Sequence, residues 1–299
     1  MEVITVIEET KAIGLREKLA AYLELTKPRI ALMLVLTSAA GFYLGTAEGF
    51  DVVLFVNSMI GIALLAFGVA TLNQVWERKT DALMERTAKR PLPTQKISFT
   101  EALVFGVLFC LVAEIYLAFL VNSLTAILGL IVIVGYVLLY TPLKTRTSAS
   151  TAIGAIPGAM PPLMGWTASA NEISLGAWAL FALLFLWQFP HFLAIAWMYK
   201  EQYAKAGILM LPVIEPEGKI TARQIVIFTV LLLPVSLAPF FLGFAGLIYL
   251  VGASLLGLWF LAESIKTARA KTVEQARKLL LVSVVYLPLI FALMVLNHK

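Results

Sequence analysis

Ile60–Leu72 reads IGIALLAFGVATL, and Asn73–Pro93 follows it without a break as NQVWERKTDALMERTAKRPLP. The first stretch is apolar on every face, as a helix surrounded by lipid must be. The second is dense in charge. A helix that runs from one into the other leaves the bilayer near Asn73, and it then carries Asn73, Glu77 and Asp81 at i, i+4 and i+8 on a single face.

The rest of the chain fits that picture. Of 299 residues, 61% are hydrophobic and 14% charged, and the mean hydropathy is +0.91, a composition that soluble domains do not have. A bilayer core takes about 20 apolar residues per helix. Nine runs qualify, near 30–46, 53–74, 101–121, 124–140, 151–168, 175–198, 222–243, 245–262 and 279–297. The fifth, TAIGAIPGAMPPLMGWTA, holds Pro157, Pro161 and Pro162. Such a break is tolerable in a membrane only where neighbours or a cavity satisfy the freed backbone groups. The expected fold class is therefore all-α, a bundle of about nine transmembrane helices. Residues 1–29 form an N-terminal arm with a short interfacial helix, and 30–299 form a single transmembrane domain.

Alternating nine spans places every Lys and Arg except Lys299 on one side, a bias that the positive-inside rule reads as cytoplasmic. The N-terminus and the long loops are then cytoplasmic, in a multi-pass protein of the cell membrane. The arm carries acids and lacks an apolar core and a cleavage site, so no removable signal peptide is expected. Cys110 is the single cysteine, which excludes a disulfide framework and a cysteine metal cluster. The net charge of +5 belongs to the loops and calls for no nucleic-acid partner.

Two carboxylates one turn apart repel unless a cation lies between them, and Mg2+ commonly takes one or two protein carboxylates together with phosphate oxygens. Arg78, Arg86, Lys89 and Arg90 of the same loop could then grip phosphate. Acids and arginines mixed at a helix end equally suit a solvated, salt-bridged face. Glu114 stands inside the third run, where a carboxylate costs about 3 kcal/mol, and a structural hydrogen bond is the expected reason for it.

The run Asn73-x-x-x-Glu77-x-x-x-Asp81-x-x-Met84-x-Arg86-Thr87-x-x-Arg90-Pro91-Leu92 resembles the first acidic motif of the UbiA-type intramembrane prenyltransferases. Its continuation, with YTPLKTRT (Tyr140–Thr147), GAIPGAMPPLMGW (Gly154–Trp166) and WQFPHFLAIAWMYKEQYAKAGILMLPV (Trp187–Val213), is similar to the haem-farnesylating branch of that family, the protoheme IX farnesyltransferases. The likeness runs over roughly residues 20–296. Thr145, Ser150, Ala155 and Gln202 depart from the usual pattern.

The resemblance implies a cytoplasmic-facing central cavity and transfer of a farnesyl group from farnesyl diphosphate to a vinyl group of haem B. It implies Mg2+ held by Asn73, Glu77 and Asp81, with Glu201 as a further carboxylate, since Gln202 stands where the second acid is usual. Lys144, Arg146, Arg86 and Arg90 would hold diphosphate, and Tyr140, Lys200, Glu201 and Tyr203 would line the substrate site. His191 would face the porphyrin, as an axial ligand or as a general base. Tyr140, Trp166, Trp187 and Phe192 are candidates to shield an allylic cation. Haem-handling oxidase assembly proteins are the expected partners. A sister enzyme acting on a quinone precursor, pigment or polar lipid would share the fold and the diphosphate site. A secondary transporter would place its ionisable groups near the midplane instead, and a haem-binding assembly factor would not need the acidic loops.

Overall fold

The structure is a computed structural model that describes residues 13–47 and 49–299. Lys11, counted above with the basic side, lies outside them. The described chain is helical throughout: α1 (Leu15–Leu25), α2 (Pro28–Gly45), α3 (Val52–Asp81), α4 (Phe99–Leu120), α5 (Ser123–Ile133), α6 (Thr141–Leu143), α7 (Ser150–Gly158), α8 (Met160–Ala170), α9 (Leu175–Met198), α10 (Lys200–Lys205), α11 (Leu211–Ile214), α12 (Lys219–Phe241), α13 (Leu247–Ala270) and α14 (Val273–Leu296). A π-helical turn, Val134–Tyr140, joins α5 to α6.

Eight helices are long and apolar enough to cross a membrane, α5, the π turn and α6 counting together as one. The protein is a multi-pass membrane protein. The fifth of the nine expected runs is not a continuous helix: Pro157, Pro161 and Pro162 divide it into α7 and α8. Carbonyls in both pieces take a donor from outside in addition to their own helix bonds. Gln188 of α9 donates to the Ala155 carbonyl (3.1 Å), and Asn122 donates to the Thr167 carbonyl (2.8 Å). Broken helices persist in membranes on that condition. α8 also lies very close to α2: a Cβ at Gly41 or Gly165 would strike the backbone of Pro162 or Ser38.

The bundle is turned inside out relative to a soluble one. Leu32, Leu108, Phe119, Ile248 and Leu255 are exposed to what would be lipid, whereas Ser38, Thr125, Thr167, Ser236 and Ser283 are buried. Buried hydroxyls bond carbonyls three or four residues back, as Ser58 does to Leu54 and Thr229 to Ile225. The apolar core includes Leu65, Leu163, Leu183 and Tyr286.

Helix ends are fixed by polar caps. Asp51 accepts from the Leu54 N–H, and Ser98 with Glu101 forms a capping box at α4. Glu101 also pairs with Lys18 of α1. Ala21 and Leu25 of α1 pack with Val75, Leu92, Ile97 and Ala102, which ties the described part of the arm to α3 and α4. The loop after α3 is anchored to α9 and the segment beyond it by Met84, which packs with Ala196, Ala206, Ile208 and Met210.

Candidate active site

α3 remains helical to Asp81, so Asn73, Glu77 and Asp81 share a face as their spacing requires. Asn73 and Asp81 are each 1% exposed. This depth removes the solvated-face reading, because a salt-bridged surface leaves its acids in water.

Each of the three meets a cation from a different part of the chain. Lys27, the residue before α2, donates to Asn73 Oδ1 (2.8 Å). Lys144, just after α6, pairs with Glu77 Oε1 (2.5 Å). Arg90 pairs with Asp81 Oδ2 (2.7 Å). Asn73 also donates through Nδ2 to Thr141 Oγ1 (3.1 Å), and Thr141 spends its own proton on the Tyr136 carbonyl (2.7 Å). That order of donors fixes the amide: its oxygen is aimed at Lys27 and the acidic face.

The π turn accounts for Thr141. Pro142 has no N–H for the Leu138 carbonyl, and the Thr141 N–H bonds back to Tyr136, one residue further than in an α-helix. Such single-turn π segments occur often at functional sites. The wide turn delivers Tyr140 as well, whose ring lies under Lys144 Nζ (4.4 Å to the centroid) and packs where a Cβ at Gly154 would otherwise sit.

The two lysines differ in how tightly they hold their protons. Burial lowers the Lys27 ammonium to about 8, helped by repulsion from Arg90 and opposed by the Glu77 carboxylate. Burial acts the same way on Lys144, but Glu77 more than offsets it and holds that lysine well above its usual value. Lys27 also has a left-handed backbone (φ 49°), a conformation that costs a non-glycine residue about 1–3 kcal/mol. Sequence reading passed over Lys27 and Thr141. The one available signal was a basic residue set directly before Pro28 at a membrane boundary.

The remaining candidates spread out from this centre. Arg86 donates to the Tyr203 hydroxyl (3.1 Å) and lies over the Tyr199 ring (5.1 Å). Its backbone N–H is accepted by Gln202 Oε1 (3.3 Å), so the amide that replaces the usual acid helps to join two loops. Burial raises the Tyr203 hydroxyl above its usual range. Glu201 and Arg146 are exposed, Lys200 is half-buried, and none of the three side chains is paired with the described residues. Glu201 is not brought into the acidic group. Arg78 turns away from it, over the Phe99 ring (4.4 Å), and so is not placed to grip a phosphate there.

His191 lies seven residues, or about 10 Å, back along α9 from Met198. It is held by Ser283 (2.8 Å) and by the Trp187 ring stacked at 4.5 Å. Trp166 is not near the acids. It packs against Phe244 and beside Gly45, the far end of the 18-residue α2 that begins just after Lys27, some 27 Å from Lys27 by helical rise. There it lines a cavity of about 580 Å³ with Asp51, Glu172 and His298. Neither carboxylate oxygen of Glu114 has a hydrogen-bond partner among the described residues. The expected structural bond is absent, and the carboxyl lies against Gly129 in an apolar groove between α4 and α5.

No cluster of three or more His, Cys, Asp or Glu that could hold a metal occurs among the described residues. The donor set still suits Mg2+: one amide and two carboxylate oxygens on one helix face, with cations alongside for phosphate.

A multi-helix membrane bundle with a buried acidic face ringed by cations, at the end where several helices leave the bilayer, defines a class of intramembrane transferases for charged amphipathic substrates. A sequence model of the UbiA prenyltransferase family matches residues 34–293, and the chain belongs to that family. Similar relatives are protoheme IX farnesyltransferases. Those of Solibacter usitatus and Koribacter versatilis are 48% and 44% identical, over 93% and 95% of this chain and 98% and 95% of theirs. Among solved structures, a digeranylgeranylglyceryl phosphate synthase superposes with a TM-score of 0.80 at 18% identity, covering 94% of this chain and 98% of its own. A UbiA homologue from Archaeoglobus fulgidus, bound to GPP and Mg2+, gives 0.67 at 19% identity, covering 92% and 99%. The family resemblance read from the motifs holds.

Proposed function

We propose that the protein transfers a farnesyl group from farnesyl diphosphate to a vinyl group of haem B, giving haem O and diphosphate. The observation that carries the reaction class is the buried face of Asn73, Glu77 and Asp81 with Lys27, Lys144 and Arg90 set against it. The acceptor is supported by relatives of that activity at 44–48% identity along nearly the whole chain.

Bound Mg2+ would supply Lewis-acid neutralisation of the leaving diphosphate. Asn73 Oδ1, Glu77 and Asp81 would hold the ion. Lys144, Lys27 and Arg90, with Arg86, Arg146 and Lys200 further out, would bind the phosphate oxygens and stabilise their growing charge as the C1–O bond breaks. The Tyr140 ring borders the same lysine and would face the allylic cation. The vinyl electron pair then forms the new C–C bond, and water adds to the resulting porphyrin-side cation with loss of a proton. Tyr203 would close the site through Arg86.

His191 would bind the haem iron and set the porphyrin edge toward C1. The site would face the cytoplasm in a cell membrane, with the broken α7–α8 segment as the ninth crossing around a central cavity. The farnesyl tail and porphyrin would enter sideways from lipid. Haem O would then pass to a haem-handling oxidase assembly protein.

The test is incubation of purified protein in detergent with haem B, farnesyl diphosphate and Mg2+, with an EDTA control, followed by chromatography and mass spectrometry of extracted haems. An Mg2+-dependent hydroxyethylfarnesyl haem is the expected product. A prenylated quinone precursor with haem B left unreacted would overturn the acceptor and leave the diphosphate site standing.

A further inference from the structure

Ser283 of α14 is fully buried and stands between two groups. Its Oγ is 2.6 Å from the Leu280 carbonyl, which can only accept, so the single hydroxyl proton is committed there. The Oγ is also 2.8 Å from His191 Nδ1. With its proton spent, Ser283 can only accept from His191, and Nδ1 must therefore carry the hydrogen. In its neutral form the imidazole then keeps its lone pair on Nε2, for which no hydrogen-bond partner occurs among the described residues.

The ring is fixed in orientation as well as in tautomer. Trp187, one turn earlier on α9, stacks on it at 4.5 Å with 23° between planes. The Trp187 indole N–H is tied to the Ser283 carbonyl (2.9 Å). Ser283 thus anchors both rings through its two oxygens, one on the side chain and one on the backbone. A histidine kept merely as core packing needs neither a committed hydroxyl nor a second ring clamped to the same residue.

We infer that Ser283 is a positioning residue: it locks His191 as the Nδ1–H tautomer and presents Nε2 as a ready ligand for the iron of haem B. This rests on the haem reading given above. A metal-bound histidine generally donates its other N–H to an outer partner, which sets ring orientation and raises the ligand's basicity. Here that partner comes from α14, distant in sequence from the α9 motif that carries the histidine. The same tautomer makes His191 unable to donate a proton through Nε2, so its role toward the porphyrin is ligation or proton acceptance.

The test uses the full chain in detergent with haem B and two readouts besides turnover. One is the affinity for haem B by absorption titration. The other is the iron–histidine stretching band of the ferrous complex by resonance Raman, whose frequency follows the strength of the hydrogen bond at Nδ1. Wild type is expected to show the band and His191→Ala to lose it. Ser283→Ala should shift it to lower frequency and weaken haem binding by about tenfold, the loss typical of an outer partner, while farnesyl diphosphate binding stays unchanged as the check on folding. Ser283→Cys keeps the volume, weakens the acceptor and should shift the band the same way; it supplies the reading if the alanine variant does not fold. A band and an affinity unmoved in both Ser283 variants would overturn the inference. A wild-type complex with no His191-dependent band would overturn it at an earlier step, by removing His191 as the ligand while leaving prenyl transfer open.

Discussion

The pair between Glu77 and Lys144 separates a working site from a structural strut. The two side chains are 2.5 Å apart and only 13% and 16% exposed. At an effective dielectric near 20, their attraction is on the order of 7 kcal/mol, and desolvation cancels a large part of it. Removing one partner of such a buried pair typically costs about 3–5 kcal/mol, because the other charge is left uncompensated. Glu77→Gln and Lys144→Met should each lower the thermal midpoint in detergent accordingly. The double variant buries no lone charge and should regain most of that loss. Turnover should behave differently. If Lys144 holds a phosphate oxygen, losing a charge-assisted hydrogen bond of about 1.5–3 kcal/mol lowers kcat/KM roughly 10- to 100-fold. Removal of Glu77 weakens Mg2+ binding independently. The double variant should therefore be stable yet at least as slow as the slower single variant, with haem product measured by chromatography. Recovery of both stability and turnover in the double variant would refute the reasoning and leave the pair as a strut.

Asp81→Ala should abolish haem O formation while haem B binding stays within about twofold, since His191 lies on another helix; full turnover would remove Asp81 from the metal site. Glu114→Gln should leave turnover within about twofold and the thermal midpoint equal or higher, because neither carboxylate oxygen has a partner to lose; a tenfold fall in turnover would show that the groove between α4 and α5 takes part. Arg86→Ala removes the Tyr203 bond and the Tyr199 contact, so trypsin should cut after Lys89 faster, with turnover down by about tenfold. Unchanged cleavage and rate would mean that the Arg86 side chain does not hold the loop.

The acidic face was legible because it is local: helix periodicity alone brings Asn73, Glu77 and Asp81 together once α3 is known to continue past the membrane boundary. The proline break in the fifth run was legible for the same reason. What needed the structure is set by contacts across the chain. Lys27 reads as an ordinary positive-inside anchor, and only the packing of α2 against α3 brings its ammonium to Asn73. Thr141 looks inert until the π turn aims it at the amide. Gln202 reads as a lost carboxylate, yet its oxygen is used by the Arg86 N–H. Trp166 was misplaced because its motif runs through α7 and α8, which carry its two ends to opposite ends of the bundle.

The charges at the rim also explain why the site can be so deep. Three cations, Lys27, Lys144 and Arg90, face two carboxylates, Glu77 and Asp81, which leaves one positive charge in a nearly dry place. On the proposed reading, Mg2+ with a triply ionised diphosphate brings one net negative charge, and the assembled site is neutral. A neutral assembly avoids most of the penalty of burying unpaired charge. As the C1–O bond breaks, further negative charge gathers on the diphosphate, among the cations nearest the aqueous face. The positive charge stays on the farnesyl chain, toward the Tyr140 ring and the bilayer. On that reading opposite charges would separate, so that diphosphate would leave by water while the cation meets a porphyrin held in lipid.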